Sequence, residues 1–228
     1  MFMIKRSYIG TFFIMMGINW LTALWFSAPG LTKFNIVEIS LLCFKNVEYI
    51  SIINSLFSAA IVGSIVVVAA SCIENMNKMN VLICSRFGFS KEKSVRFYFL
   101  QFFVSSLCLS ITKAVADLLY CQNELFENVG SFIKLYFLLL AFSYIVFLII
   151  FLFLQYGYKI KLTVLILMLI SLVLPKLSKS EYFIFQCWGI AGERYTQDFF
   201  LLIAIKLGVI ILLSIIITLK LKNKDIFT

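Results

Sequence analysis

The chain has 228 residues, 62% of them hydrophobic and 14% charged, with a formal charge of +9 and a mean hydropathy of +1.03. A soluble domain builds its core with about 45 to 50% apolar residues, so this excess rules out an ordinary soluble fold and points to an integral membrane protein. The basic residues stand in short clusters between apolar runs, which is the pattern of a membrane-orientation signal, and no nucleic-acid partner is expected.

Crossing about 30 Å of hydrocarbon at 1.5 Å per residue takes about 20 mostly apolar residues. Six segments reach or approach that length, which predicts an all-α polytopic membrane protein forming a single transmembrane domain over residues 1–228. The first span covers about residues 8–28, behind Lys5 and Arg6, and is stopped by Pro29-Gly30. It is long enough to cross and lacks a small-x-small cleavage site, so it reads as a span and not as a signal peptide. Residues 31–49 are too charged to cross but hold Ile36, Val37, Ile39, Leu41, Leu42 and Phe44, suggesting an amphipathic piece on the outer face.

The second span covers about residues 50–71, with Ser55, Ala59 and Gly63 at intervals of four. Small residues at that spacing let helices approach closely, so a helix or subunit contact is expected there. Residues 72–96 are polar and basic. Ile73, Met76, Leu82 and Ile83 oppose Glu74, Asn75, Asn77 and Lys78 in a short amphipathic segment that runs to Arg86. Gly88 supplies a turn, and Ser90 caps a new helix that carries Lys91, Glu92, Lys93 and Arg96 into the third span, about residues 97–119. The expected product is a compact elbow on the inner face, suited to docking a soluble partner.

The third span carries Lys113 and Asp117 in its outer third, four residues apart and on one helix face. The fourth covers about residues 133–154, and the short fifth about 160–174, before Pro175. Residues 176–198 hold Tyr182, Phe183, Ile184, Phe185 and Trp188, broken by Gly189 and Gly192. They read as a re-entrant segment in the outer interface, with a plain extracellular loop as the alternative. The sixth span covers about residues 199–219 and holds Lys206, at a depth comparable to Lys113. A lysine costs up to about 3 kcal/mol to insert, which so apolar a span outweighs. Lys113, Asp117 and Lys206 therefore serve structure by reaching toward the surface, or line an outer vestibule for substrate.

Orientation follows the basic residues. With both termini in the cytoplasm, Lys5, Arg6, Lys78, Arg86, Lys91, Lys93, Arg96, Lys159, Lys161, Lys220, Lys222 and Lys224 lie inside. Only Lys33, Lys45, Lys134, Lys176, Lys179 and Arg194 lie outside, and this bias selects the orientation. The chain has no histidine, which removes His-dependent metal, haem and Ser-His chemistry. Cys43, Cys72, Cys84, Cys108, Cys121 and Cys187 form no CxxC pair and read as small apolar residues. No paired carboxylates meet within a span. Neither a catalytic site nor a bound cofactor or metal is expected.

In the order of its spans and in the segment "IENMNKMNVLICSRFGFSKEKSVRF", the chain resembles the membrane subunit of a type-2 ABC transporter. That family includes small six-span permeases of antimicrobial-peptide export and self-immunity. Its segment after span 2 begins with Glu, as at Glu74, and ends in a Ser-Arg-x-x-Ser-Lys-like turn, approximated by Ser85-Arg86-Phe87-Gly88-Phe89-Ser90-Lys91. The family often has a proline in this turn, where Phe87 or Gly88 stands here. The resemblance implies that Glu74, Lys78, Arg86, Gly88, Ser90 and Lys91 form a coupling elbow. It further implies a cytosolic ATPase dimer that supplies ATP and Mg chemistry, a second permease copy or paralogue, and a peptide or lipophilic cargo in a bacterial plasma membrane. The chain lacks a nucleotide-binding glycine loop, which agrees with an energy source in another subunit. Two other classes share these features: a substrate-binding membrane subunit of an energy-coupling-factor importer, and a non-transporting immunity protein.

Overall fold

A computed structural model describes residues 63, 65–74, 91–120, 129–160, 162–167 and 199–223, together with Phe13, Phe126 and Leu169. The described residues are helical except for the turn at 156–159, and no strand occurs among them. Helix α1 is Ile65–Glu74, α2 is Lys91–Tyr120, α3 is Val129–Gln155 and α4 is Phe199–Asn223. Three are long and apolar enough to cross a bilayer, over Val95–Val115, Phe132–Gln155 and Phe199–Leu221. They correspond to the third, fourth and sixth expected spans. In α1 and in residues 162–167, the second and fifth are represented by helical pieces. The first span apart from Phe13, residues 31–49, Ser55, Ala59, Lys78, Arg86, Gly88, Ser90 and residues 176–198 lie outside the described residues.

Helix α3 is the central element, packed against α2 on one side and α4 on the other, while α2 and α4 barely touch. The share of each spanning window that is buried follows this order, 61% for α3 against 17% for α4. Leu201, Leu207, Val209, Ile211, Leu212, Ile215 and Leu219 of α4 face outward. Such a wholly apolar outer face suits lipid, where a helix satisfies its own backbone and needs no polar surface.

Four rings set the direction of α2 against α3. Tyr98 lies 4.7 Å from Phe151, and Phe102 lies 5.5 Å from Phe147 and 5.4 Å from Phe151. Ser110 then donates to the Tyr136 carbonyl at 2.9 Å. Rising numbers on α2 meet falling numbers on α3, so the pair is antiparallel. Against α4 the order is reversed: the Nζ atoms of Lys134, Lys206 and Lys220 lie over the rings of Phe199, Phe142 and Tyr156 respectively. Helices α3 and α4 are therefore parallel.

Parallel neighbours require the chain to recross the layer between Gln155 and Phe199. The turn after α3 begins that return. Gly157 has φ +84°, its N–H donates to the Leu154 carbonyl at 3.0 Å, and the Tyr158 N–H reaches the Phe153 carbonyl at 3.2 Å. This pair of bonds is the Schellman helix end, with glycine in the left-handed position that costs other residues energy. The Lys159 carbonyl then accepts from the Leu162 and Thr163 N–H groups, which starts the next helical piece within a few residues. The short fifth span expected from residue 160 begins at this point.

Candidate functional site

The three apolar windows share a midplane. Their midpoints fall at Ser105, near Ser143 and near Ile210, and the ring contacts and cation–ring contacts hold these positions at about one level. At this level the bundle buries several polar groups among its apolar side chains. Ser105, Ser106 and Ser143 are buried there, and the buried Cys72 of α1 has its Sγ 3.4 Å from the Ser105 Oγ. Toward the Tyr120 end of α2 the same inner face carries Ser110 and Lys113, both buried. Positions 102, 105, 106, 109, 110 and 113 repeat at three and four residues, so one stripe of α2 points inward. Its other side, with Leu100, Phe103, Val104, Leu107 and Ile111, is apolar and exposed.

Hydroxyls at helix contacts act as small hydrogen-bonding spacers in lipid. Most of these have settled partners: Ser110 bonds across to α3, and Ser143 donates to the Leu140 carbonyl at 3.0 Å in its own helix. Ser106 differs, because its Oγ is fully buried and makes no hydrogen bond among the described residues. An unsatisfied buried hydroxyl costs about 1 to 3 kcal/mol, so it is the expensive member of the seam.

Both intramembrane lysines turn into the protein, with exposures of 4% for Lys113 and 3% for Lys206. The Lys206 Nζ lies 5.5 Å from the centre of the Phe142 ring, in cation–π geometry. Lys206 approaches Phe142, next to the midpoint of α3, whereas Lys113 lies beyond the Ser110–Tyr136 contact, about 12 Å from Ser105 along α2. The two are thus at different depths. Asp117 is in the last turns of α2, and its side chain lies outside the described residues.

Of the proposed coupling residues, Glu74 is exposed at the end of α1 and Lys91 opens α2 at the position expected after a Ser90 cap. Gly63, the last member of the four-residue repeat, is buried, as close packing requires. The midplane hydroxyls and the cluster of Tyr98, Phe102, Phe147 and Phe151 were not singled out from sequence. The signal for them is that Ser105, Ser106 and Ser110 fall on one helical face in the least apolar of the long spans.

The described residues thus define an all-helical protein whose three long apolar helices fit a membrane. No protein-family model, no characterised protein and no solved structure matches the chain.

Proposed function

We propose that the chain is the membrane-spanning permease subunit of an ATP-driven exporter of peptide or amphiphilic cargo, energised by a separate cytosolic ATPase dimer. In this reading it works beside a second permease copy or paralogue in a bacterial plasma membrane. One observation carries the mechanical part. The helices on either side of residues 75–90 share one core: Ile65, Val66, Val68, Ala69, Cys72 and Ile73 of α1 cluster with Tyr98, Phe102 and Leu109 of α2 and with Phe142, Val146 and Phe151 of α3. A push on the link between α1 and α2 is therefore delivered to packed side chains, which shift as a body and bias one arrangement of the bundle over another.

Cys72 meets Ser105 at the midplane, while α2 begins at Lys91, about 21 Å away along its axis. Lys91 thus lies much nearer the end of the bundle than Glu74, which favours Lys91 and its neighbours in sequence, back to Arg86, as the contact surface for an ATPase. The buried seam of Ser105, Ser106, Ser110 and Lys113 supplies the polar interior that an amphiphilic cargo needs.

The test is Arg86→Glu against Glu74→Ala in the full-length protein. Arg86→Glu abolishes copurification of a P-loop ATPase in mild detergent while membrane insertion is unchanged, and Glu74→Ala has the smaller effect. An ATPase retained equally by wild type and Arg86→Glu refutes the docking surface.

A further inference from the structure

We propose that the end of the bundle formed by the Tyr156–Lys159 turn and Lys220 holds the headgroup of an anionic phospholipid. Two separate elements meet there. Lys159 follows the Gly157 turn directly, and the Lys220 Nζ lies 2.8 Å from the centre of the Tyr156 ring. A sequence separation of more than 60 residues collapses to one level, at the ends of the apolar windows where headgroups begin.

The chemistry fits a phosphodiester. Lys159 is exposed, and Lys220 is half-buried and positioned by the ring beneath it. Tyr156 and Tyr158 are 57% and 48% exposed, leaving two phenols at the depth where such rings sit beside ester and phosphate groups. A Cβ added at Gly157 would meet nothing within 4 Å, so the space beside the turn is open. Below Lys220, the exposed Leu219, Ile215 and Leu212 form an apolar track down α4 along which an acyl chain can lie. A soluble anion would use the cations and leave that track empty. A lipid uses both, and this selects the lipid.

The inference rests on the membrane character of the protein and not on the exporter reading. Native mass spectrometry of the full-length protein tests it, counting lipids retained after equal exposure to phosphatidylglycerol and phosphatidylcholine. Wild type retains phosphatidylglycerol preferentially. Lys159→Gln with Lys220→Gln lowers that retention by roughly tenfold or more, at about 1 kcal/mol for each cation near an anionic headgroup. The corresponding pair of arginine substitutions keeps it, and Lys134→Gln at the opposite end leaves it unchanged. Should the glutamine pair fail to fold, Lys159→Gln alone, on the exposed turn, carries the comparison. Equal retention of both lipids, undiminished retention in the glutamine variants, equal loss in Lys134→Gln, or displacement by excess inorganic phosphate overturns the proposal.

Discussion

Neighbouring residues on α2 have opposite fates because the helix places them on opposite faces. Phe102 is fully buried among Tyr98, Phe147 and Phe151, whereas Phe103 is 47% exposed on the outer side. In lipid the water-transfer part of the usual penalty falls away and the cavity part remains. Phe102→Ala is therefore expected to cost roughly 2 kcal/mol in detergent unfolding, and Phe103→Ala less than about 0.5 kcal/mol. The serines give a contrast of sign. Ser105→Ala removes the contact with Cys72 at about 0.6 kcal/mol, a typical value for such bonds between membrane helices. Ser106→Ala removes a buried hydroxyl with no partner among the described residues and is expected to be neutral or stabilising. If Ser106→Ala proves as destabilising as Ser105→Ala, the hydroxyl has a partner in the working protein.

At the scale of elements, the turn after α3 and the parallel pairing of α3 with α4 depend on each other. Gly157 occupies a left-handed conformation with open space around it, so Gly157→Ala carries only the backbone cost, about 1 kcal/mol, and Gly157→Asn less. A loss of several kcal/mol would reveal packing at this turn. The pairing itself is open to cross-linking in a background without native cysteines. Cysteine pairs at Tyr156 with Lys220 and at Lys134 with Phe199 are both expected to join, and a pair at Lys134 with Lys220 is not. Joining of the last pair would reverse the direction of α4.

Much of this arrangement was legible from periodicity and length. The third, fourth and sixth spans were placed within a few residues, because runs such as those around Phe142 and Leu212 are too apolar and too long for anything but a buried or lipid-facing helix. The short fifth span was marked by Lys159 and Pro175, and the helical piece of residues 162–167 falls inside it. The alternation of six spans also implied the directions, with the third antiparallel to the fourth and the fourth parallel to the sixth. Neighbours and depth were not legible. Nothing in the one-dimensional pattern says that Lys206 approaches Phe142, or that Lys113 sits nearer the surface than Lys206, since both depend on how helices slide against each other. The serine stripe was hidden for a related reason. Serine is tolerated on either face of a membrane helix, and only packing distinguishes a seam from a scatter.

On the scale of the whole molecule, the described helices expose apolar side chains and bury a few hydroxyls, a thiol and two lysines within a mostly apolar core. In the proposed reading these polar groups line the route for cargo, and the shared core of α1, α2 and α3 is the link by which outside work reaches it. The orientation expected from charge makes a further prediction. A single cysteine at position 180, replacing Ser180 after removal of the native cysteines, reacts with an impermeant reagent in intact cells. Reaction only after permeabilisation would invert the topology. The proposal that another subunit hydrolyses ATP for this chain is tested by measuring Mg-ATP hydrolysis in the complex purified from native membranes through a tag on this protein. Vanadate-sensitive hydrolysis is expected to accompany wild type and to be lost with Arg86→Glu at equal yield of the tagged chain. A wild-type preparation that retains no ATPase subunit and hydrolyses no ATP would contradict it.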